Sequence, residues 1–208
     1  MQLSDFETYV KTNGKKMTFE KHTMIFKNGE RTGMLYLLID GWVKIAQEGK
    51  DGQAITLSLR RGGDLFGLVE ILADESVRSR SAYSLTGSTV YALPIEKMDG
   101  LLSEQPGLMS TLCKLMAQRL LESQEFIKVL TSMSVPQRLS WFLRVFAEER
   151  EDGLTVELPL THEEVSYILG CSRQKVTGFL NLWRTEGYIT YERGKIKIID
   201  QAAILFEE

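Results

Sequence analysis

Residues 161–189 read THEEVSYILGCSRQKVTGFLNLWRTEGYI. Thr161 is placed to cap a helix, and Glu164, three residues on, can reach back to the Thr161 amide, which makes a capping box. Val165, Ile168 and Leu169 then fall on one helical face. Gly170 ends that helix, because glycine tolerates the positive φ a helix terminus often needs. After a very short turn Ser172 can cap a second helix, whose apolar stripe is Val176, Phe179, Leu180 and Trp183 and whose close is Gly187. Two short helices with a tight glycine-containing turn form a helix-turn-helix. Val165, Leu169, Cys171, Val176 and Phe179 face inward in one register, with small Ser166 at the closest crossing.

The outward face of the second helix carries Ser172, Arg173, Gln174, Lys175 and Thr177. These suit a major groove: Arg pairs with guanine O6 and N7, and Gln with adenine N6 and N7, each through two hydrogen bonds. Ser172 and Lys175 suit phosphate, a contact that positions without specifying. A solvated polar face is the competing explanation for an isolated helix. The complete two-helix register favours DNA binding, with Thr161 and His162 at the start of the first helix completing the candidate surface.

Composition narrows the alternatives. The chain has 208 residues, room for two domains, and 43% hydrophobic residues, enough for real cores. Lys+Arg is 25 and Asp+Glu is 28, a net charge of -3. Residues 1–133 carry 16 basic and 16 acidic residues and residues 134–208 carry 9 and 12, so the DNA-binding half alone is 9 − 12 = −3. Phosphate attraction must therefore be local, from Arg173 and Lys175 with Arg184, Arg193, Lys195 and Lys197 as further candidates. The two cysteines, Cys113 and Cys171, are far apart and read as small buried hydrophobes. They cannot supply a four-cysteine cluster, and they lack zinc spacing. Met1 to Lys16 is polar and shows no secretion signal, and the apolar run Met34–Ile39 is too short to span a bilayer. The expectation is a soluble cytoplasmic protein without a membrane partner.

Along the chain, Met1 to Lys16 reads as a short helix or ordered arm. Then Met17–Phe19, Met24–Phe26, Met34–Ile39, Val43–Ala46, Ile55–Leu59 and Val90–Leu93 are short β-forming segments separated by Asn28-Gly29, Asp40-Gly41, Asp51-Gly52 and Gly62-Gly63-Asp64. Short strands at near-regular spacing indicate an antiparallel barrel or roll, and Asp51-Gly52 is the sharpest hairpin signal. Gly63-Asp64-Leu65-Phe66-Gly67 leads into a short helix over Leu68–Ala73, then a polar stretch ends in Arg78-Ser79-Arg80-Ser81-Ala82. A helix start opposite an Arg-Ser pair can hold an anion; solvated loop arginines are the competing reading.

Gln105-Pro106-Gly107 marks a boundary. Leu108 to Met133, free of Pro and Gly, predicts one helix of ~26 residues, about 39 Å long. Leu108, Leu112, Leu115, Met116, Phe126 and Leu130 recur at heptad-like spacing and predict a parallel homodimer seam. Arg119 and Ser123 interrupt it, either setting register or lining a ligand pocket. Ser134 and Gln137 make a second capping box around Pro136, and Leu139, Phe142, Leu143 and Phe146 make that helix amphipathic. Glu148–Gly153 reads as a charged loop, Leu154–Leu160 as a strand, and Tyr188–Tyr191 with Lys195–Ile199 as a hairpin wing tipped by Arg193-Gly194. The predicted class is α+β: an N-terminal antiparallel β-roll of jelly-roll type over 1–104, a dimerisation helix over 105–133, and a winged helix-turn-helix over 134–208.

This order of parts resembles the CRP/FNR family of bacterial transcription regulators across essentially the whole chain, through Gly-Asp-Leu-Phe-Gly, Arg-Ser-Ala, the long helix and LTHEEVSYILGCSRQKVTGFL. The resemblance implies a cyclic-nucleotide-binding-type β-roll, a homodimer reading palindromic double-stranded DNA, and effector-driven reorientation about a hinge near Ser134. The implied effector pocket involves Gly67, Leu68, Arg80, Ser81, Ala82, Arg119 and Ser123. Where cyclic-AMP-binding members follow the cassette glycine with a ribose-holding Glu, this chain has Leu68. Losing one charged ribose partner costs about 2 kcal/mol or more, so the expected effector is not cyclic AMP. Four cluster cysteines are missing, and His22 and His162 do not match an axial haem ligand, so neither an iron-sulfur cluster nor haem is expected. Arg173 matches the family's guanine-reading Arg, Gln174 stands where well-known members have a cytosine-reading Glu, and Gly178 stands where they have a second Arg. The half-site should carry guanine under Arg173 and adenine under Gln174, with recognition helices ~34 Å apart.

Three other readings compete. A metal-dependent β-roll enzyme needs clustered His and carboxylate, whereas His22 stands alone among the strands, and no Ser/His/Asp set appears. A ligand-independent regulator is suggested by Leu68, and a thiol-redox regulator by Cys113. An activator would also need a surface for RNA polymerase, which no loop announces.

Overall fold

The computed structural model describes residues 2–48, 54–150, 153–157, 159–192 and 195–200. The chain divides into two compact units, Met1–Glu122 and Ser123–Glu208.

The first unit opens with α1 (Leu3–Asn13), started by the Gln2 amide donating to the Asp5 carboxylate at 2.9 Å. Then come β1 (Lys15–Phe19), β2 (Met24–Phe26), β3 (Met34–Asp40), β4 (Trp42–Glu48), β5 (Ala54–Arg61), β6 (Leu65–Phe66), the single turn α2 (Val69–Leu72), β7 (Ser81–Ser84), β8 (Ser88–Pro94) and α3 (Ile95–Glu104). Two four-stranded antiparallel sheets result, in the orders β1-β8-β3-β6 and β2-β7-β4-β5. β3 explains why its sequence, MLYLLID, is apolar without alternation: it is covered on both faces. Tyr36 and Leu38 pack with Phe26, Val43, Phe66, Ala82 and Val90 between the sheets. Leu35 and Leu37 point the other way, onto Phe6, Val10, Met98, Leu101, Leu108 and Leu112 of the flanking helices.

α4 (Gly107–Ser132) is one helix of 26 residues. The second unit continues with α5 (Val135–Val145), β9 (Ala147–Arg150), β10 (Gly153–Val156), α6 (His162–Ile168), α7 (Arg173–Thr185), β11 (Ile189–Glu192) and β12 (Lys195–Ile198), the strands ordered β11-β12-β10-β9. The Ser134–Gln137 capping box starts α5, with the Ser134 amide donating to Gln137 Oε1 at 2.9 Å.

Several elements depart from expectation. The stretch Glu148–Gly153, read as a charged loop, begins inside an edge strand, Ala147–Arg150, paired residue for residue with Gly153–Val156. Its Glu148, Glu149 and Arg150 stay exposed, so only backbone pairing makes it a strand. β10 ends at Val156 rather than Leu160. β7, β6 and α3 had no separate signal. The Asp51-Gly52 turn and the Arg193-Gly194 wing tip lie outside the described residues. Among the described residues no helix is long and apolar enough to cross a membrane.

Candidate nucleic-acid interface and effector pocket

The helix-turn-helix is held by its own termini. Thr161 Oγ1 accepts the Glu164 N–H at 3.2 Å, and the Thr161 N–H donates to Glu164 Oε2 at 3.0 Å. At the far end of α6, Gly170 sits at φ +61; the Cys171 N–H donates to the Ser166 carbonyl at 3.0 Å and the Gly170 N–H to that of Tyr167 at 3.4 Å. That pair of bonds is a Schellman close, which stops the helix within one residue. Arg138 of α5 adds a lock: its Nε donates to the Met133 carbonyl at 2.9 Å and its Nη1 to that of Leu169 at 3.1 Å. Val165, Ile168, Leu169, Val176, Leu180 and Trp183 are buried beneath.

Ser172 caps α7, its Oγ accepting the Lys175 N–H at 3.4 Å, and its own hydroxyl hydrogen remains a donor. Ser172, Arg173, Gln174 and Lys175 are all exposed. Thr177 and His162 turn out to serve each other. Both are half-buried, and His162 Nδ1 lies 3.0 Å from Thr177 Oγ1, a bond between the two helices of the motif. That bond ties the start of α6 to the first turns of α7.

Asn181 was not singled out from sequence. It is exposed on the Arg173, Gln174, Thr177, Gly178 face, seven residues after Gln174, and that spacing was the available signal. Lys195, a candidate for phosphate contact, ion-pairs with Glu157 at 2.7 Å.

In the β-roll the structure separates the arginines of the Arg78–Ala82 run. Arg78, read as a loop residue, is 2% exposed. Its Nη1 donates to the Gly67 carbonyl at 2.7 Å and stands 3.5 Å from Glu70 Oε2, its Nη2 donates to the Met34 carbonyl, and it covers the Phe26 ring at 4.4 Å. Glu70 in turn accepts the Ser79 hydroxyl at 2.7 Å. Gly67, at φ +71, sits in a conformation that strains any other residue, and a Cβ there would press on both Arg78 Nη atoms and Tyr36 at 3.1–3.2 Å. Leu68 is fully buried in the helix-side core, in one cluster with Leu35, Leu37 and Leu65.

Arg80 is half-buried and has no hydrogen bond or ion pair among the described residues. Ser81 is 1% exposed and its Oγ accepts the Asn28 N–H at 3.0 Å, while Ala82 is sealed between Phe26 and Ile45. Arg119 reaches the Leu65 carbonyl through Nη2. Burial, and then the neighbouring Arg60 charge, pull its pKa down to about 10. Ser123 is the first residue of the second unit.

A model of the cyclic nucleotide-binding domain matches residues 16–105, and one of the Crp-like helix-turn-helix domain matches residues 137–205. A global nitrogen regulator of Nostoc sp. is 30% identical over 186 residues, 87% of this chain and 83% of that protein. The chain belongs to the CRP/FNR family of transcription regulators. A CRP-like cAMP-activated global transcriptional regulator of Mycobacterium tuberculosis is 28% identical over 186 residues, 88% of this chain and 83% of its own. The structure of FixK2 from Bradyrhizobium japonicum superposes with a TM-score of 0.81 at 16% identity, covering 92% of this chain and 95% of that one. The chain is thus a CRP-family regulator built from a cyclic-nucleotide-binding-type domain and a DNA-binding helix-turn-helix.

The long helix keeps the first part of the expected seam within its own protomer. Leu108 and Leu112 are fully buried in the protomer's own core, and Leu115 and Met116 pack against that core. Phe126 stacks on Trp141 at 5.6 Å, and Leu130 is half-buried. A second stripe stays in solvent: Cys113, Ala117, Leu120, Gln124 and Ile127, spaced four, three, four and three, with Leu120 and Ile127 each 59% exposed. Cys113 is therefore exposed rather than a buried hydrophobe, whereas burial pushes the half-buried Cys171 thiol up.

Proposed function

We propose that the protein is a homodimeric regulator that reads an inverted repeat through Arg173 and Gln174, with affinity set by a small molecule other than cyclic AMP in the β-roll. The observation that supports this best is the exposed Ser172–Lys175 run, held by the Ser172 cap, the Gly170 close and the His162–Thr177 bond. Arg173 supplies a fork for guanine and Gln174 a donor-acceptor pair for adenine. Ser172 and Lys175 take phosphate, and Asn181 extends the same face. The buried Leu68 speaks against a ribose-bearing effector. Nucleic-acid work on chromosomal targets places the protein in the cytoplasm, and activation would add a contact with RNA polymerase.

Selection of bound duplexes from a random pool tests this reading. An enriched two-fold symmetric motif supports it. No enrichment, with or without small molecules from a cell extract, contradicts it.

The dimer forms along the stripe Cys113, Ala117, Leu120, Gln124 and Ile127, whose 3.5-residue repeat suits a parallel coiled pair. The double substitution Leu120→Glu/Ile127→Glu is expected to give a monomer in sedimentation equilibrium at micromolar concentration. Operator binding should fall at least tenfold, since two half-sites would no longer be linked. Mild oxidation should cross-link wild type through Cys113. An unchanged dimer in the double variant would place the interface elsewhere.

A further inference from the structure

α5 starts at the joint with the long helix, and one of its faces holds that joint. Trp141 stacks on Phe126 of α4, ring centroids 5.6 Å apart and planes 22° from parallel. Arg138, three residues earlier and so on the same face, gives its guanidinium to two main-chain carbonyls. Nε donates at 2.9 Å to Met133, the residue between the end of α4 and the Ser134 cap of α5. Nη1 donates at 3.1 Å to Leu169, the cap residue at the end of α6. Arg138 is half-buried and makes no ion pair among the described residues, so these two carbonyls are what orient it. The carbonyls at a helix C-terminus lack internal partners, and a cation is favoured there.

Capping α6 needs one of these bonds. The other goes to the joint, and a single rigid plane makes both, so the two carbonyls keep a fixed mutual setting. Lysine, a point charge on a flexible stem, cannot hold both in that way. Gln124 and Ile127 of the exposed stripe lie on the same stretch of α4 as Phe126. A short chain of contacts therefore runs from that stripe to the reading helix: α4 to the joint, the joint through Arg138 to α6, and α6 across the His162–Thr177 bond to α7. We propose that Arg138 is a positioning residue that fixes which spacing of two half-sites the dimer accepts. It reads no base and acts through effective concentration. A stiff link places the second reading helix at one spacing, whereas a loose link spreads it over several and lowers the best of them. One added base pair moves a half-site about 3.4 Å along the duplex and turns it by about 35°, which a stiff link does not follow. The proposal rests on the dimeric reading of an inverted repeat given above.

The test uses the full chain and anisotropy titrations on four duplexes: the selected inverted repeat at its selected spacing, the same repeat one base pair longer, one base pair shorter, and a single half-site. Wild type should bind the selected spacing at least about tenfold more tightly than either neighbour. Arg138→Met keeps the stem and loses both bonds. It should narrow that preference to under about threefold, by losing affinity at the selected spacing. Arg138→Lys keeps the charge and reaches one carbonyl at a time, so its preference should fall between the two. Single half-site binding should stay within about twofold of wild type in both variants, because one half-site needs no link to its mate. A role confined to supporting the motif would lower that binding too. The proposal is overturned if either variant keeps the wild-type spacing preference, or if half-site binding falls as far as binding to the full repeat. A wild type that selects an inverted repeat, beside variants that leave its spacing unmoved, rejects the role of Arg138 alone. A wild type that selects no inverted repeat rejects the dimeric reading and this proposal with it.

Discussion

Arg78→Leu is expected to destabilise the β-roll by about 3–5 kcal/mol, the usual consequence of leaving a buried charge without its partner. Arg78 and Glu70 have side chains only 2% and 7% exposed, so neither charge falls back on water when the other is removed. The same substitution orphans the Gly67 and Met34 carbonyls and uncovers the Phe26 ring. The pH dependence carries a second signature. Burial pushes the Glu70 carboxyl up, but the Ser79 hydrogen bond and the Arg78 charge outweigh it, and its pKa lies below the ordinary value. A carboxyl with a depressed folded pKa stabilises above its unfolded value, about 4.3 for Glu, and loses that contribution as pH falls through the folded one. Without Arg78, burial is opposed only by the Ser79 hydrogen bonds and the backbone hydrogen bond of Glu70 itself. The gap between wild type and variant should therefore narrow as pH is lowered below about 4.3. Arg78→Met/Glu70→Leu, which removes both charges, should recover much of the loss. Urea unfolding of the three variants at neutral and acid pH checks this. A loss under about 1 kcal/mol for Arg78→Leu would show the pair to be worth no more than a surface bridge.

Arg173→Ala is expected to weaken operator binding by about 1–3 kcal/mol per half-site, or roughly 2–6 kcal/mol for a dimer. That is a loss of about 30-fold to 10⁴-fold, with specificity relaxed at the guanine position in both halves. Lys175→Ala should behave differently. Its loss should weaken all duplexes alike and reduce the salt slope by about one per half-site, since a phosphate contact carries no sequence information. Anisotropy titrations of both variants on operator and scrambled duplex, at several salt concentrations, separate the two roles. Equal losses on both duplexes for Arg173→Ala would demote it to a phosphate contact.

What was legible in the sequence was local. Thr161 with Glu164, Ser134 with Gln137, and Gly170 with φ +61 each act over a few residues, so spacing alone reveals them. The strands whose sequence alternates or runs apolar were legible too, β3 and β8 above all. What was hidden depends on partners far along the chain. Nothing near Arg78 says that it will be swallowed by Met34, Gly67 and Glu70, and Arg80, two residues on, looks the same in sequence. β7 reads Ser-Ala-Tyr-Ser and is buried only because β2 and β4 flank it. α4 carries two apolar stripes, and periodicity does not say which one the protomer keeps. Leu108 and Leu112 go to its own core, and Leu120 and Ile127 are left outside. The bond between His162 and Thr177, 3.0 Å apart between α6 and α7, was equally hidden, since the two lie fifteen residues apart in the chain.

The central claim is that α7 reads bases through Arg173 and Gln174. Selection of duplexes by Gln174→Glu, run beside wild type, tests it most directly. A carboxylate accepts from cytosine N4 and cannot donate to adenine N7, so one adenine and its symmetry mate should become cytosine. The guanine under Arg173 should stay unchanged in both motifs. An unaltered motif, or one that loses its two-fold symmetry with either protein, would contradict the claim.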